Sequence, residues 1–267
     1  MSLNPIKLPS QKKVVIVGTF IFAILVSILY FVLQPTNSYL VLSNIVVVAI
    51  SGCATLAAYL IIRKYRWNIH NSFSKCWLFF FLGALFWSLG ELSWAIYVLG
   101  FGIEVPYPSI GDVFWLIGYA PFFMAFLGYF RMFGLPFASK KKLVVIGGIM
   151  FLSSIMMKQF LLYPILALED EPLVMLFNLA YPIGDFLLIA VAIGSLVVFF
   201  GQKIGKPFIY LASSVFIINA IADTLFSFLT TTGEYIYGSY LTTLNDLLFV
   251  WGYFALFLGF YIHLKEF

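Results

Sequence analysis

Five acids, Glu91, Asp112, Asp185, Asp223 and Asp246, lie inside or at the mouths of long apolar runs, and these residues are the best placed to do chemistry. Paired carboxylates can trade protons as acid and base, bind a hard cation such as calcium, or hold a polar ligand. A carboxylate at the centre of a membrane helix costs about 2.5 to 3.5 kcal/mol on insertion scales, so five of them should face a shared interior rather than lipid. Their neighbours at helical spacing support that. Trp87, Glu91 and Trp94 share one face, as do Asp112, Trp115 and Tyr119, and Asn178, Tyr181 and Asp185. Asn219, Asp223 and Phe226 make a fourth set, and Thr242, Asp246, Phe249 and Tyr253 a fifth. The pattern predicts a polar and aromatic cavity whose ligand-binding residues are the five acids with Trp87, Trp94, Tyr119, Tyr181, Asn219 and Tyr253. If it holds a metal, a hard cation at Asp185, Asp223 and Asp246 is the expected form.

Two of the acids also fit a plainer role. Ser109-Ile110-Gly111-Asp112 and Thr243-Leu244-Asn245-Asp246 both match a capping box, in which the acid satisfies free N–H groups at a helix start. Glu91, Asp185 and Asp223 lie too deep for capping, unless Pro182 begins a helix and makes Asp185 its first-turn acid. Among the bases only Lys158 is expected at comparable depth. It can neutralise one acid, which leaves the others to tyrosine, asparagine and tryptophan donors or to a bound cation. His70 and His263 are expected at the opposite side, and Cys53 and Cys76 have no metal-ligand or CxxC spacing, so no zinc hydrolase, histidine-ligated haem or other cofactor is evident.

The elements that position these residues follow from composition. Of 267 residues 63% are hydrophobic, 20% aromatic and only 10% charged, against about 25% charged in a soluble domain. The mean hydropathy of +1.04 makes lipid the solvent for most side chains. The fold class expected is all-α, a polytopic integral membrane bundle of about eight transmembrane helices in a single domain spanning 1–267. The runs are 14–33, 40–62, 76–99, 110–130, 143–164, 173–200, 207–230 and 239–264; about 20 apolar residues suffice to cross a membrane. The first run lacks a small-residue cleavage site before Gln34-Pro35 and reads as a retained helix rather than a signal peptide.

Charge alternates between the connecting segments. Lys7, Lys12 and Lys13 precede the first run, and Arg63, Lys64, Arg66 and Lys75 follow the second. Arg131 and Lys140 to Lys142 follow the fourth, Lys203 and Lys206 the sixth, and Lys265 the eighth. The intervening loops carry only Glu104, Glu169-Asp170-Glu171 and Glu234. By the positive-inside rule both termini are cytoplasmic, and an even helix number agrees by putting both on one side. The expected location is the cell (plasma) membrane, multi-pass, and the net charge of +4 implies no nucleic acid.

Three segments share a pattern that suggests a partial repeat, namely Tyr107 to Phe114, Tyr181 to Leu187 and Thr243 to Leu248. The run from Val105-Pro106-Tyr107-Pro108-Ser109 through Asp112 to Gly118-Tyr119 resembles a signature of the N-terminal membrane sensory region of archaeal and bacterial histidine kinases and of diguanylate cyclase or phosphodiesterase proteins. Ala180 to Leu188 resembles its second signature. A third is Ala222-Asp223-Thr224-Leu225 with Gly233-Glu234-Tyr235, Gly238-Ser239 and Gly252-Tyr253. The resemblance runs from about the third run to the C-terminus, the first two adding only hydrophobicity. It implies a module that senses something in or outside the membrane and passes it to a cytoplasmic output domain. The chain lacks such a domain, so a separate cytoplasmic signalling protein or other membrane subunits are the partners expected beside the bilayer. The alternatives are a membrane lipid hydrolase of the lysoplasmalogenase type, resting on Gly111-Asp112 and Gly184-Asp185, and a transporter or accessory subunit of a membrane complex. No nucleophile is evident, which leans away from an enzyme.

Overall fold

The computed structural model describes residues 11–34, 36–134, 139–159, 163–166 and 171–267. Lys7 and the Glu169-Asp170 pair lie outside them, as does part of the fifth run. The chain is all-helical, 87% helix, with no strand among the described residues. Among the described residues ten α-helices follow in order: α1 (Gln11–Leu33), α2 (Asn37–Lys64), α3 (Ser72–Ala95), α4 (Ile110–Tyr129), α5 (Lys140–Met157), α6 (Tyr163–Leu166), α7 (Pro172–Phe199), α8 (Lys206–Val215), α9 (Asp223–Thr231) and α10 (Tyr240–Glu266). π-helical segments continue α-helices at Ile96–Phe101 after α3, at Phe130–Gly134 after α4 and at Phe216–Ala222, which joins α8 to α9 in one rod, and Lys158 and Gln159 are π-helical after α5.

Short polar side chains set the helix starts. Asn71 accepts from the Phe73 and Ser74 amides at 2.9 and 3.1 Å, and Ser109, Ser139 and Ser239 cap α4, α5 and α10. Gly102, at φ 63°, takes the left-handed conformation that ends the α3 rod.

Among the described residues seven helices are long and apolar enough to cross a membrane: α1, α2, α3 and α4 with their π extensions, α7, the α8–α9 rod and α10. The described part of the fifth expected run is also helical, but three lysines occupy the first turn of α5. Large apolar side chains stay exposed along α1, including Val17, Phe20, Ile24 and Ile28. That surface suits lipid rather than water.

Six rods close a ring. α2 packs on α3, α3 on α4, α4 on α7, α7 on the α8–α9 rod, that rod on α10, and α10 back on α2. α1 lies outside against α10 and α2, and α5 outside against α7. The α3–α4 seam is tight because glycines receive tryptophans reciprocally. A Cβ at Gly90 would lie 2.4 Å from the Trp115 indole, and one at Gly118 would lie 2.4 Å from that of Trp87.

The starts of α1 and α8 and the end of α10 meet where Lys12 and Lys206 pair with Glu266, the latter at 3.3 Å. Lys64 at the end of α2 donates to the Leu264 carbonyl at 3.2 Å, and Lys142 at the start of α5 to that of Val198, at the end of α7, at 2.9 Å. The basic segments thus gather at one end of the bundle. His263 belongs to the same end, where it is buried, stacked 3.6 Å from Trp77, with Nε2 2.7 Å from the Tyr65 hydroxyl. It is a packed core residue rather than an interfacial one. His70 is exposed in the α2–α3 loop, and both cysteines are free.

Candidate functional site

At the other end the ring encloses a cavity of about 690 Å³. Its wall holds all five acids and also Trp87, Trp94, Tyr119, Tyr181, Asn219 and Tyr253. The rim is made by Ile103 to Tyr107 of the α3–α4 loop and by Tyr235 and Tyr237 of the α9–α10 loop. All six ring rods contribute to the wall, and α1 and α5 contribute none of its described residues.

Each acid accepts from a tyrosine hydroxyl on a different element. Tyr253 of α10 donates to Glu91 Oε1 of α3 at 2.7 Å, and Tyr181 of α7 to Asp112 Oδ1 of α4 at 2.8 Å. Tyr119 of α4 reaches Asp185 Oδ1 of α7 at 2.5 Å and Asp223 Oδ2 of α9 at 3.4 Å. Tyr39 of α2 donates to Asp246 Oδ2 at 2.6 Å, and Tyr235 to Asp246 Oδ1 at 3.3 Å. These bonds give each acid at least one hydrogen-bonded oxygen and tie different segments of the bundle together. Burial, and then the Asp246 carboxylate beside it, push the Tyr235 phenol well up from its ordinary value, so it stays a donor.

Asp185 and Asp223 form the tightest group. Asn219, in the π segment immediately before α9, donates through Nδ2 to Asp185 Oδ1 at 2.9 Å, to Asp223 Oδ2 at 3.3 Å and to the Tyr119 hydroxyl at 3.0 Å. Asn219 Oδ1 is buried with no hydrogen-bond partner. Glu91, Asp112 and Asp185 are buried, while Asp223 and Asp246 are half-buried toward the cavity. No lysine, arginine or histidine is among the described lining residues.

Several expectations change. Asp112 does cap α4, accepting from the Ser109 amide at 2.7 Å and hydroxyl at 2.6 Å, yet its other oxygen takes Tyr181, so capping and cavity roles coexist. Asp246 is not a capping acid. Ser239 caps α10, which begins at Tyr240, and Asp246 falls in its second turn. Pro182 does not begin a helix: α7 starts at Pro172 and runs through it, with Asp185 at mid-helix. The three resembling segments therefore occupy unequal positions along their helices. Lys158 neutralises none of the acids; it is exposed at the end of α5, 5.4 Å from the Tyr163 ring centre. No group of three metal-ligating side chains forms among the described residues. Asp246 is held apart on Tyr39 and Tyr235, so the three-aspartate cation site is not assembled.

Tyr39 and Tyr235 were not among the expected site residues. Tyr39 lies just before the second apolar run; Ser43 and Asn44 within it are visible as a departure from its hydrophobicity, and both line the cavity. That run thus adds more than hydrophobicity. No protein-family model, curated protein or solved structure matches the chain.

Proposed function

We propose that the chain is a receptor-like sensory module of the plasma membrane that takes a small ligand, cation or proton into this acidic and aromatic cavity. One observation carries the proposal: five acids spread over five rods, each costly in lipid, all line the same space. A bundle that needed only to fold would be better served by apolar residues there. The tyrosine pairs also suit a responsive site, because each joins two segments and a ligand that competes for one carboxylate loosens a contact between them. Any such shift requires different affinity for the two arrangements.

The same proposal includes eight crossings with both termini cytoplasmic. From Lys140 to Gln159 the fifth rod is helical, about 30 Å at 1.5 Å per residue, which is enough to span. The gathered bases would mark the cytoplasmic end, and the cavity would open outward. Cytoplasmic helix ends, read by a separate signalling protein or another membrane subunit, would report binding. Residues that carry the resemblance to sensory regions of kinases and cyclases, Tyr119, Tyr181, Asp185, Asp223 and Tyr253, lie on the wall, which agrees with such a role. The lipid-hydrolase alternative is weaker, since each acid is already engaged by a tyrosine and no histidine is among the described lining residues.

The test is thermal unfolding of the purified full chain against a panel of small cations, neutral compounds and anions. A ligand at 100 times its Kd stabilises by about 2.7 kcal/mol. At least one compound should raise the melting temperature of the wild type and not that of the Asp185→Asn/Asp223→Asn variant. No stabilising compound, or equal shifts in both proteins, would overturn the proposal.

A further inference from the structure

The cavity wall has two chemically distinct parts. The first is the Asp185–Asp223 pair, where the Tyr119 hydroxyl and the Asn219 amide group are already committed as donors. Beside them Asn219 Oδ1, on a side chain only 1% exposed, accepts from nothing. Two acids on a wall with no basic side chain among its described residues call for N–H donors from outside the protein. The second part is aromatic. Trp115 lies 6.1 Å from Trp94, Trp94 lies 6.1 Å from Phe226, and Phe226 lies 5.0 Å from Tyr235, so four rings follow one another along the wall. Ring faces attract cations and pack against apolar groups.

We infer that the cavity binds a protonated primary or secondary organic amine, its ammonium donating to Asp185 and Asp223 and its apolar body lying along Trp94, Trp115 and Phe226. The inference rests on the proposed binding function and narrows the ligand to one class. A volume of about 690 Å³ falls in the range of small-molecule sites and far exceeds a bare ion. A metal would need more oxygen ligands than the pair supplies, since calcium takes about six to eight. Anions would meet six acids on the wall, Glu104 included. A quaternary ammonium lacks the N–H donors that the Asp185–Asp223 carboxylates accept.

The experiment follows tryptophan fluorescence and thermal unfolding of the purified full chain. Probes are phenethylammonium chloride, its N-trimethyl analogue, 2-phenylethanol, 3-phenylpropionate and calcium chloride alone. The primary amine should bind saturably and more tightly than every other probe. Asp185→Asn should weaken it by about tenfold or more. Trp94→Ala, which leaves the hydrogen-bonded pair intact, should weaken it by about threefold or more. Equal or tighter binding of the alcohol, the carboxylate or the trimethyl analogue would overturn the amine assignment and leave the binding proposal standing. So would calcium that displaces the amine while insensitive to Trp94→Ala. Binding by no probe, together with no hit in the broader panel, would remove both.

Discussion

An acid in a membrane interior is tolerable only where its oxygens find donors, and in this bundle the donor is a tyrosine each time. Tyr253 serves Glu91 alone, whereas Tyr119 lies within reach of both Asp185 and Asp223 and also accepts from Asn219. Removing a hydroxyl from a buried acid costs about 1 to 3 kcal/mol. Tyr253→Phe should therefore destabilise by about that amount, and Tyr119→Phe by more, both read from unfolding of the purified protein; equal losses would contradict the shared role of Tyr119. At this scale the sequence was informative where cost was visible. Glu91, Asp185 and Asp223 stand out because nothing in an apolar run explains them. Tyr39 and Tyr235 did not stand out, because tyrosine at the end of a membrane helix is ordinary interfacial composition. Asp246 misled, since Thr243 and Asp246 have cap spacing but Ser239 begins the helix one turn earlier.

Among the elements, α3 and α4 are the pair on which the cavity's shape most depends. Gly90 and Gly118 give room to Trp115 and Trp87, and both indoles line the wall. Overpacking of a tight contact costs about 1 to 3 kcal/mol. Gly90→Ala should destabilise by that much and alter tryptophan emission, because the indole has to move. Gly147→Ala on α5, where a Cβ meets nothing within 4 Å, should be neutral or stabilise by up to about 1 kcal/mol. A Gly90→Ala protein as stable as wild type would count against the reciprocal seam. Helix positions were largely legible from apolar runs, within a few residues of the observed ends. The π segments were not, because one inserted residue leaves no mark in composition. Yet the segment Phe216–Ala222 carries Asn219, the residue that donates to both Asp185 and Asp223.

In the whole molecule, polarity is divided between two ends. Bases, with Glu266 among them, hold the starts of α1 and α8 against the end of α10, and the five acids line a cavity at the opposite end of a six-rod ring. Charge alternation along the chain made this division readable before any coordinates. That the acids share one space was only implied, since helical periodicity orients a face without choosing its neighbour. Topology and cavity together can be probed at Thr224, a half-buried lining residue beside Asp223. In a background with Cys53→Ser and Cys76→Ala, Thr224→Cys would be exposed in intact cells to membrane-impermeant thiosulfonate reagents of opposite charge. An outward-opening acidic cavity concentrates cations, and electrostatic focusing of this kind raises rates by about tenfold or more. The cationic reagent should therefore modify Thr224→Cys from outside at least about tenfold faster than the anionic one. Modification only after the cells are permeabilised, or at equal rates for the two reagents, would contradict an acidic cavity open to the outside.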